Sequence, residues 1–179
     1  MERPPLVQRA VDRASELGFD RSCPDATGAL LHVLAGQSGR RRVGEIGTGT
    51  GVGTAWLASA LDPAVPLVTV EVDPGRAAAA TELFRDDENV RVLTGDWRSE
   101  LTREAPFDLL FVDAADAKDD VATAAGLLAP RGTAVLDDFA PGGAGPDPRR
   151  EAWLDSPELA AVELLTTPSS AALVAVRRS

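Results

Sequence analysis

The segment from Arg42 to Thr54 carries the residue types best suited to holding a small ligand. A short apolar run leads into glycines at every second position, namely Gly47, Gly49, Gly51 and Gly53. Glycine costs conformational entropy in regular structure, so this spacing indicates a positive φ or a ligand too close to the main chain for a Cβ. The helical pattern that follows, Thr54 to Leu61, would present unpaired N–H groups to polar or anionic ligand atoms.

The glycine spacing also narrows the type of ligand. A dinucleotide fingerprint needs its third glycine where this chain has Val52, Thr54 or Trp56, and a phosphate loop needs a Gly-Lys-Ser/Thr sequence that this segment lacks. Glu45 precedes the first glycine, and its carboxylate suits a ligand with an ammonium and a sulfonium group. Glu-x-Gly-x-Gly-x-Gly resembles motif I of the class I S-adenosylmethionine (SAM) methyltransferases. A purely structural glycine-rich turn is the alternative.

This resemblance implies a set of SAM contacts. The loop from Glu45 to Gly53 would hold the methionine end, and Glu71, at the end of the second strand, would bind the ribose hydroxyls. Asp96 would accept a hydrogen bond from the adenine amine, with Trp97 against the ring; a plain helix cap is the alternative for Asp96. The residues implied in cofactor binding are Glu45, Gly47, Thr48, Gly49, Gly53, Glu71, Asp96, Trp97 and Asp113.

Acids also end the fourth and fifth predicted strands, in Phe-Val-Asp113 and Leu-Asp137-Asp138-Phe. These segments resemble the catechol and caffeoyl-CoA type O-methyltransferases, in which an Asp and an Asp-Asn pair hold one divalent cation. The resemblance implies that Asp113, Asp137 and Asp138 bind Mg²⁺, Mn²⁺ or Ca²⁺, because carboxylates suit hard cations and repel one another without one. Asp138 replaces the family's Asn, which adds charge but keeps a ligand oxygen. A loop-capping role is the alternative for Asp137 or Asp138.

The general base is the second departure from that family. Its Lys, three residues past the strand-four Asp, is replaced here by Asp116, and Lys118 is the only lysine of the chain. Either a longer loop returns Lys118 to the site as a catalytic residue beside Asp113, or a cation alone lowers the pKa of the acceptor hydroxyl. A solvated ion pair with Asp119 and Asp120 is the alternative for Lys118.

Strand and helix patterns alternate from residue 43 onward, which predicts a parallel sheet covered on both faces. The expected fold is α/β, a Rossmann-like class I methyltransferase sheet of seven mostly parallel strands with a C-terminal antiparallel hairpin strand. The predicted strands are Val43–Ile46, Leu67–Val72, Val90–Thr94, Phe107–Asp113, Thr133–Leu136, Val162–Thr166 and Ala171–Val176. The predicted helices are Pro4–Leu17, Cys23–Ala35, Thr54–Leu61, Pro74–Phe84, a short helix after Trp97, and Val121–Leu128.

Composition favours one globular domain. The chain has 179 residues, 44% of them hydrophobic and 26% charged, and we expect residues 1–36 to form a helical cap on a nucleotide-binding unit of residues 42–179. A net charge of −10 disfavours a nucleic-acid partner. The single cysteine, Cys23, and the lack of a signal-peptide or membrane-span pattern predict a cytoplasmic location without a membrane partner. The oligomeric state is left open, a homodimer included.

Metal-assisted O-methylation of a small hydroxylated, catechol-like acceptor is therefore predicted. Phe19, Phe139 and Trp153 are the aromatic candidates for the acceptor pocket, and the loop Pro141–Pro148 is either a lip of that pocket or a connection. The N-terminal helix is expected near the acceptor, so its removal should spare cofactor binding; ordinary core or a dimer contact is the alternative. A nucleotide-dependent oxidoreductase and a non-catalytic SAM-binding protein are the alternative functions.

Overall fold

Seven strands form one sheet within residues 1–142 and 145–179, the part of the chain that the computed structural model describes. The strands are β1 (Val43–Ile46), β2 (Leu67–Glu71), β3 (Val90–Thr94), β4 (Phe107–Val112), β5 (Leu128–Phe139), β6 (Leu159–Thr167) and β7 (Ser170–Arg177). The helices are α1 (Pro5–Glu16), α2 (Asp25–Ala35), α3 (Val52–Ala58), α4 (Pro74–Leu83), α5 (Trp97–Glu100), α6 (Ala115–Lys118), α7 (Val121–Gly126) and α8 (Pro148–Leu154), with a 3₁₀ turn at Leu101–Arg103.

The strand order is β3-β2-β1-β4-β5-β7-β6. The strands β1 to β5 pair in parallel, and β7 runs antiparallel to both of its neighbours, β5 and β6. The predicted fold class is therefore confirmed. Chain order reverses between β1 and β4, and in open α/β sheets the crevice at the carboxyl ends of such strands is where ligands bind.

Apolar side chains pack against both faces of this sheet. Successive residues of β4 alternate between two core clusters, because side chains of a strand point to opposite faces. Leu109 and Phe111 belong to the cluster under α1, α2 and α3, which includes Trp56. Leu110 and Val112 belong to the other cluster. Both faces of the sheet are thus covered by packed core.

Helix α1 is part of that core. Its apolar stripe, Val7, Ala10 and Ala14, is buried in the same cluster as Trp56 of α3. Deleting α1 would expose this cluster and weaken the support of the glycine loop, which leads directly into α3. The structure therefore favours ordinary core packing for the stripe over a helix separable from cofactor binding.

The α2–α3 contact depends on a glycine. A Cβ added to Gly28 would overlap the indole ring of Trp56, which is fully buried. We expect Gly28→Ala to lower the free energy of unfolding by about 1–3 kcal/mol, because overpacking forces the ring or the backbone to move. Urea denaturation measures this change. Gly126→Ala, in α7, is the matched control, since nothing lies within 4 Å of its added Cβ; equal stability of the two variants would contradict the expected overlap.

The largest differences from the sequence prediction concern β5 and α8, and the single-turn helix α6 was not predicted either. Strand β5 begins at Leu128 instead of Thr133, with a register shift against β4 and with Arg131 at φ 65°. Helix α8 was not predicted, although Asp147 caps it by accepting hydrogen bonds from two backbone N–H groups and Pro148 stands at its first position. Among the described residues, no helix combines the length and apolar character needed to cross a membrane.

Candidate active site

A cavity of about 760 Å³ opens at the carboxyl ends of β1 to β5. Its volume falls within the range of ordinary small-molecule sites. Six of the nine residues implied in cofactor binding line it, namely Gly47, Gly49, Glu71, Asp96, Trp97 and Asp113. The sheet edge thus brings together side chains that are separated by up to 66 positions in the sequence.

Three of the implied residues lie outside this wall. The Glu45 side chain is fully buried behind the glycine loop, where it accepts hydrogen bonds from the hydroxyls of Thr54 and, at 2.6 Å, Thr69. Thr48 shares a 2.6 Å hydrogen bond with Thr69, and both Thr48 and Gly53 line a smaller adjoining cavity. Direct contact between Glu45 and the cofactor stays a prediction.

Burial changes the ionisation of Glu45. One of its oxygens, Oε1, has no hydrogen-bond partner within the described residues. Burial raises the pKa of Glu45 to about 7, although the hydrogen bonds from Thr54 and Thr69 act in the opposite direction. Because a desolvated carboxylate favours its neutral form, this group titrates near neutral pH.

The glycine loop has the backbone conformation that its spacing predicts. Gly47, Gly49 and Gly51 have φ of 96°, 55° and 100°, a backbone conformation that residues other than glycine rarely adopt. Gly53 has a different reason to be glycine, because an added Cβ would overlap the Glu45 carboxyl group. The Gly49 N–H donates to Glu71 at 2.8 Å, which ties the loop to the end of β2.

Glu71 lies at the cavity wall but is already well bonded. Besides the Gly49 N–H, it accepts hydrogen bonds from the Asp73 N–H at 2.9 Å and from the Arg76 guanidinium at 2.7 Å. A ligand hydroxyl would therefore share this carboxylate with the protein. Fixed donors of this kind orient the carboxylate.

Asp96 and Trp97 begin α5 at the far end of the cavity. Asp96 caps the helix by accepting from the Arg98 N–H at 3.0 Å, and it lines the cavity as well, so a capping role and a ligand role are compatible. Trp97 is buried and donates from Nε1 to Asp116 at 2.9 Å. The Arg98 guanidinium lies 4.4 Å from the Trp97 ring centroid and binds Asp116 and Asp120.

The ends of β4 and β5 place three carboxylates together. Ligand oxygens of Asp113, Asp137 and Asp138 all lie within 4.8 Å of one another. Lys118, at the end of the single-turn helix α6, points its Nζ into this group, 3.9 Å from Asp113, 3.3 Å from Asp137 and 3.7 Å from Asp138. Lys118 is buried, so a solvated ion pair with Asp119 and Asp120 is not what the structure shows.

Electrostatics in this acid–lysine cluster (Asp113, Asp137, Asp138 and Lys118) disfavour the charged forms of Asp113 and Asp137. Burial, and then the charge of Asp137, raise the pKa of Asp113 well above its usual range. Burial also raises the pKa of Asp137, while the Lys118 ammonium acts in the opposite direction. Carboxylates that are close and desolvated hold protons unless a cation compensates them. The cluster therefore favours a bound positive charge.

Asp138 fits its position for a backbone reason. Its φ is 61°, a left-handed conformation that Asp and Asn adopt more readily than other side chains. Its side chain is 67% exposed, whereas that of Asp137 is 2% exposed. Asp137 thus faces inward and Asp138 faces the open cavity, and the Asn-to-Asp difference from the resembled family leaves the backbone requirement satisfied.

The structure corrects one aromatic candidate. Trp153 is fully buried in a core cluster and donates from Nε1 to the Lys118 carbonyl at 3.0 Å, so it supports the loop and lines no acceptor pocket. Phe19 and Phe139 do line the cavity. In the predicted lip Pro141–Pro148, Gly143 and Ala144 lie outside the described residues, while Asp147 reaches the cavity wall.

Arg149 and Arg21 are two of the cavity residues that were missed from the sequence. Arg149 follows the Asp-Pro start of α8, which is a recognisable helix signal, and it binds Asp119. Arg21 lies in the connection between α1 and α2, where no spacing or composition signal marks it. Both bring positive charge to a cavity whose predicted functional residues are mostly acidic.

Comparison with known proteins gives consistent results. The family described as methyltransferase domain matches residues 45–139. A Mycobacterium marinum protein described as an O-methyltransferase is 36% identical over 151 residues, which cover 80% of this chain and 67% of that protein.

Solved structures extend the likeness to the whole fold. The O-methyltransferase TomG from Streptomyces achromogenes, involved in tomaymycin synthesis and solved with SAM, has a TM-score of 0.81 at 25% identity, covering 99% of this chain and 92% of that one. An O-methyltransferase from Bacillus cereus, solved with SAH, has a TM-score of 0.81 at 22% identity, covering 99% and 93%. The second likeness, at this identity, concerns the fold alone.

Proposed function

Given that this chain belongs to the class I SAM-dependent O-methyltransferases, we propose that it methylates a hydroxyl group of a small, catechol-like acceptor with the help of a divalent cation. The observation that carries the proposal is the convergence of three carboxylates and a buried lysine at one end of the cavity. Gly47 and Gly49 of the glycine loop, with Asp96 and Trp97, line other parts of the same cavity.

The donor set suits a hard divalent cation. Asp113, Asp137 and Asp138 offer carboxylate oxygens, the ligand type preferred by Mg²⁺, Mn²⁺ and Ca²⁺. Without such an ion, burial and the neighbouring carboxylates raise the pKa of Asp113 and of Asp137, which disfavours their charged forms. A bound cation would supply Lewis acidity that lowers the pKa of an acceptor hydroxyl nearby.

The protein's own residues complete the reaction. Glu71 and the loop glycines hold the nucleoside and methionine parts of SAM, and Asp96 with Trp97 receives the adenine. The acceptor oxygen then bonds to the methyl carbon as its bond to sulfur breaks, and S-adenosylhomocysteine (SAH) leaves. Lys118 lies where it can take the proton of the acceptor hydroxyl once it has itself given up a proton, because only the neutral amine is a base. Catalysis by positioning and charge stabilisation suffices for such a displacement.

The remaining assignments follow from charge and composition. We assign a small-molecule acceptor as partner and no nucleic acid, because the net charge is −10. Cys23 is a buried free thiol, which fits a reducing, cytoplasmic location. Residues 1–179 act as one methyltransferase domain, with the N-terminal helices as part of its core; a homodimer remains compatible with this arrangement.

Chelation tests the cation. We expect excess EDTA to abolish methyl transfer to a catechol and Mg²⁺ or Mn²⁺ to restore it, because a bound cation would lower the pKa of the acceptor hydroxyl. Asp137→Asn should lose transfer that added metal does not restore, while SAH affinity, measured by calorimetry, changes little. Asp86→Asn, an exposed carboxylate outside the cavity wall, is the control. Full turnover in excess EDTA would contradict the metal-assisted mechanism.

A further inference from the structure

Among the residues that the structure describes, five cationic side chains line the large cavity, namely Arg21, Arg76, Arg98, Lys118 and Arg149. Four of them are committed to carboxylates of the protein. Arg76 binds Glu71 at 2.7 Å, Arg98 binds Asp116 at 2.9 Å, Arg149 binds Asp119, and Lys118 lies within the acid–lysine cluster. Their positive charge is therefore largely balanced by carboxylates of the protein itself.

Arg21 is different. Within residues 1–142 and 145–179, no carboxylate oxygen lies within 4.0 Å of its side-chain nitrogens, and its guanidinium donates no hydrogen bond. The residue is exposed, so its charge is open to the cavity. An arginine without an internal partner retains all five N–H donors for an external anion.

Arg21 lies where two cavities adjoin. Arg21 lines the large cavity and also the smaller one beneath the glycine loop, and Phe19, Gly49 and Asp113 are shared in the same way. The side chain thus stands between the loop implied in holding the methionine end of SAM and the acid–lysine cluster implied in holding the acceptor. A ligand group near this junction meets Asp113 on one side and Arg21 on the other.

We propose that Arg21 binds a ligand carboxylate at this junction. The inference rests on the proposed function, because the ligands in question are SAM and the acceptor. Guanidinium and carboxylate groups match in a bidentate geometry, which makes arginine the side chain best suited to select this group. The carboxylate belongs either to the methionine part of SAM or to an acidic acceptor. In a cavity otherwise rich in acids, Arg21 determines which ligands with negative charge are accepted.

The first experiment tests whether SAM supplies the carboxylate that Arg21 binds. Calorimetry compares SAH with 5′-methylthioadenosine, which lacks the amino-acid end, for the parent protein and for Arg21→Gln. If SAM supplies the carboxylate, Arg21→Gln weakens SAH binding about tenfold, the low end for a charged hydrogen bond at an exposed site, and leaves methylthioadenosine binding unchanged. Arg9→Gln, an exposed arginine of α1 off the cavity wall, is the matched control.

The second experiment tests the acceptor source. The SAH-bound protein is titrated with 3,4-dihydroxybenzoate and with 3,4-dihydroxybenzamide, which differ only in the acid group. If the acceptor supplies the carboxylate, Arg21→Gln weakens binding of the benzoate about tenfold and leaves the benzamide unchanged. Arg21→Lys, which keeps the charge but not the fork of donors, should recover part of the loss.

The two experiments together decide the proposal. A selective loss for SAH or for the benzoate supports it and identifies the source. Equal affinities of Arg21→Gln and the parent for both acids overturn it, as does an equal loss for the acids and their uncharged counterparts, which would indicate a structural effect. Failure of the proposed function can be distinguished from failure of the Arg21 proposal. It would appear as absent catechol turnover in the parent protein, independently of any substitution at Arg21.

Discussion

Lys118→Met is expected to lower the free energy of unfolding of the cation-free protein by about 3–5 kcal/mol at pH 8. The ammonium lies 3.3 Å from the buried carboxylate of Asp137 and within 4 Å of Asp113 and Asp138, and removing one partner of a buried ion pair leaves uncompensated charge. Urea denaturation in EDTA measures the loss. Arg91→Met, which breaks an exposed pair with Glu104, is the matched control and should cost less than about 1 kcal/mol.

The loss should depend on pH in one direction. Burial raises the pKa of both Asp113 and Asp137 in the folded protein, and without Lys118 both would be raised further. An acid with a raised folded-state pKa binds protons more readily in the folded state, so stability falls as pH rises through the interval between the unfolded and folded values. The destabilisation by Lys118→Met should therefore shrink as the pH is lowered and Asp113 and Asp137 take up protons.

Added Mg²⁺ tests whether the Lys118 ammonium and a divalent cation bind the same carboxylates. A ligand that binds only the folded state adds stability according to its affinity. If the ammonium and a divalent cation compete for the same carboxylates, Mg²⁺ should stabilise Lys118→Met more than it stabilises the parent. Equal stabilisation of the two proteins would show that the cation does not share the position of the lysine, and would count against the assigned ligand set.

The sheet and its ligand edge could be predicted because their signals are local. Each short apolar strand is followed by polar residues or glycines and then by a helical pattern. The strand ends, and hence Glu71, Asp96 and Asp113, could therefore be located to within a residue or two. Parallel pairing then places those ends together without further information. The alternating glycines predicted positive φ at the loop, and three of the four have it.

What could not be predicted depends on distant packing. The single turn of α6 turns Lys118 back toward β5, and Trp153 of α8 holds its carbonyl, but a one-turn helix has no periodicity to recognise. The β5 irregularity at Pro130–Gly132 has the composition of a turn, so the strand was predicted to begin five residues too late. The full burial of Glu45 depends on Thr54 and Thr69, which are not adjacent to it in sequence.

Glu45→Gln is expected to change the pH dependence of stability. Burial raises the pKa of Glu45 from 4.5 to about 7, so the folded protein retains a proton that the unfolded chain releases. Stability from this group is therefore present at low pH and is lost as pH rises through that interval. The neutral Gln keeps a similar shape and does not titrate. Relative to the parent, Glu45→Gln should gain about 2.5 kcal/mol between pH 5 and pH 8, from roughly 1.4 kcal/mol for each unit of pKa shift.

Urea denaturation of both proteins at the two pH values measures this difference, and Glu82→Gln, at an exposed glutamate of α4, is the matched control. SAH affinity at pH 8 then distinguishes the two roles of Glu45. If the carboxylate contacts the cofactor ammonium, as the sequence predicts, Glu45→Gln binds SAH about tenfold or more weakly, since a charged hydrogen bond is lost. If Glu45 only supports the loop through Thr54 and Thr69, affinity is retained. A pH-independent difference in stability would instead refute the buried, titrating carboxyl group.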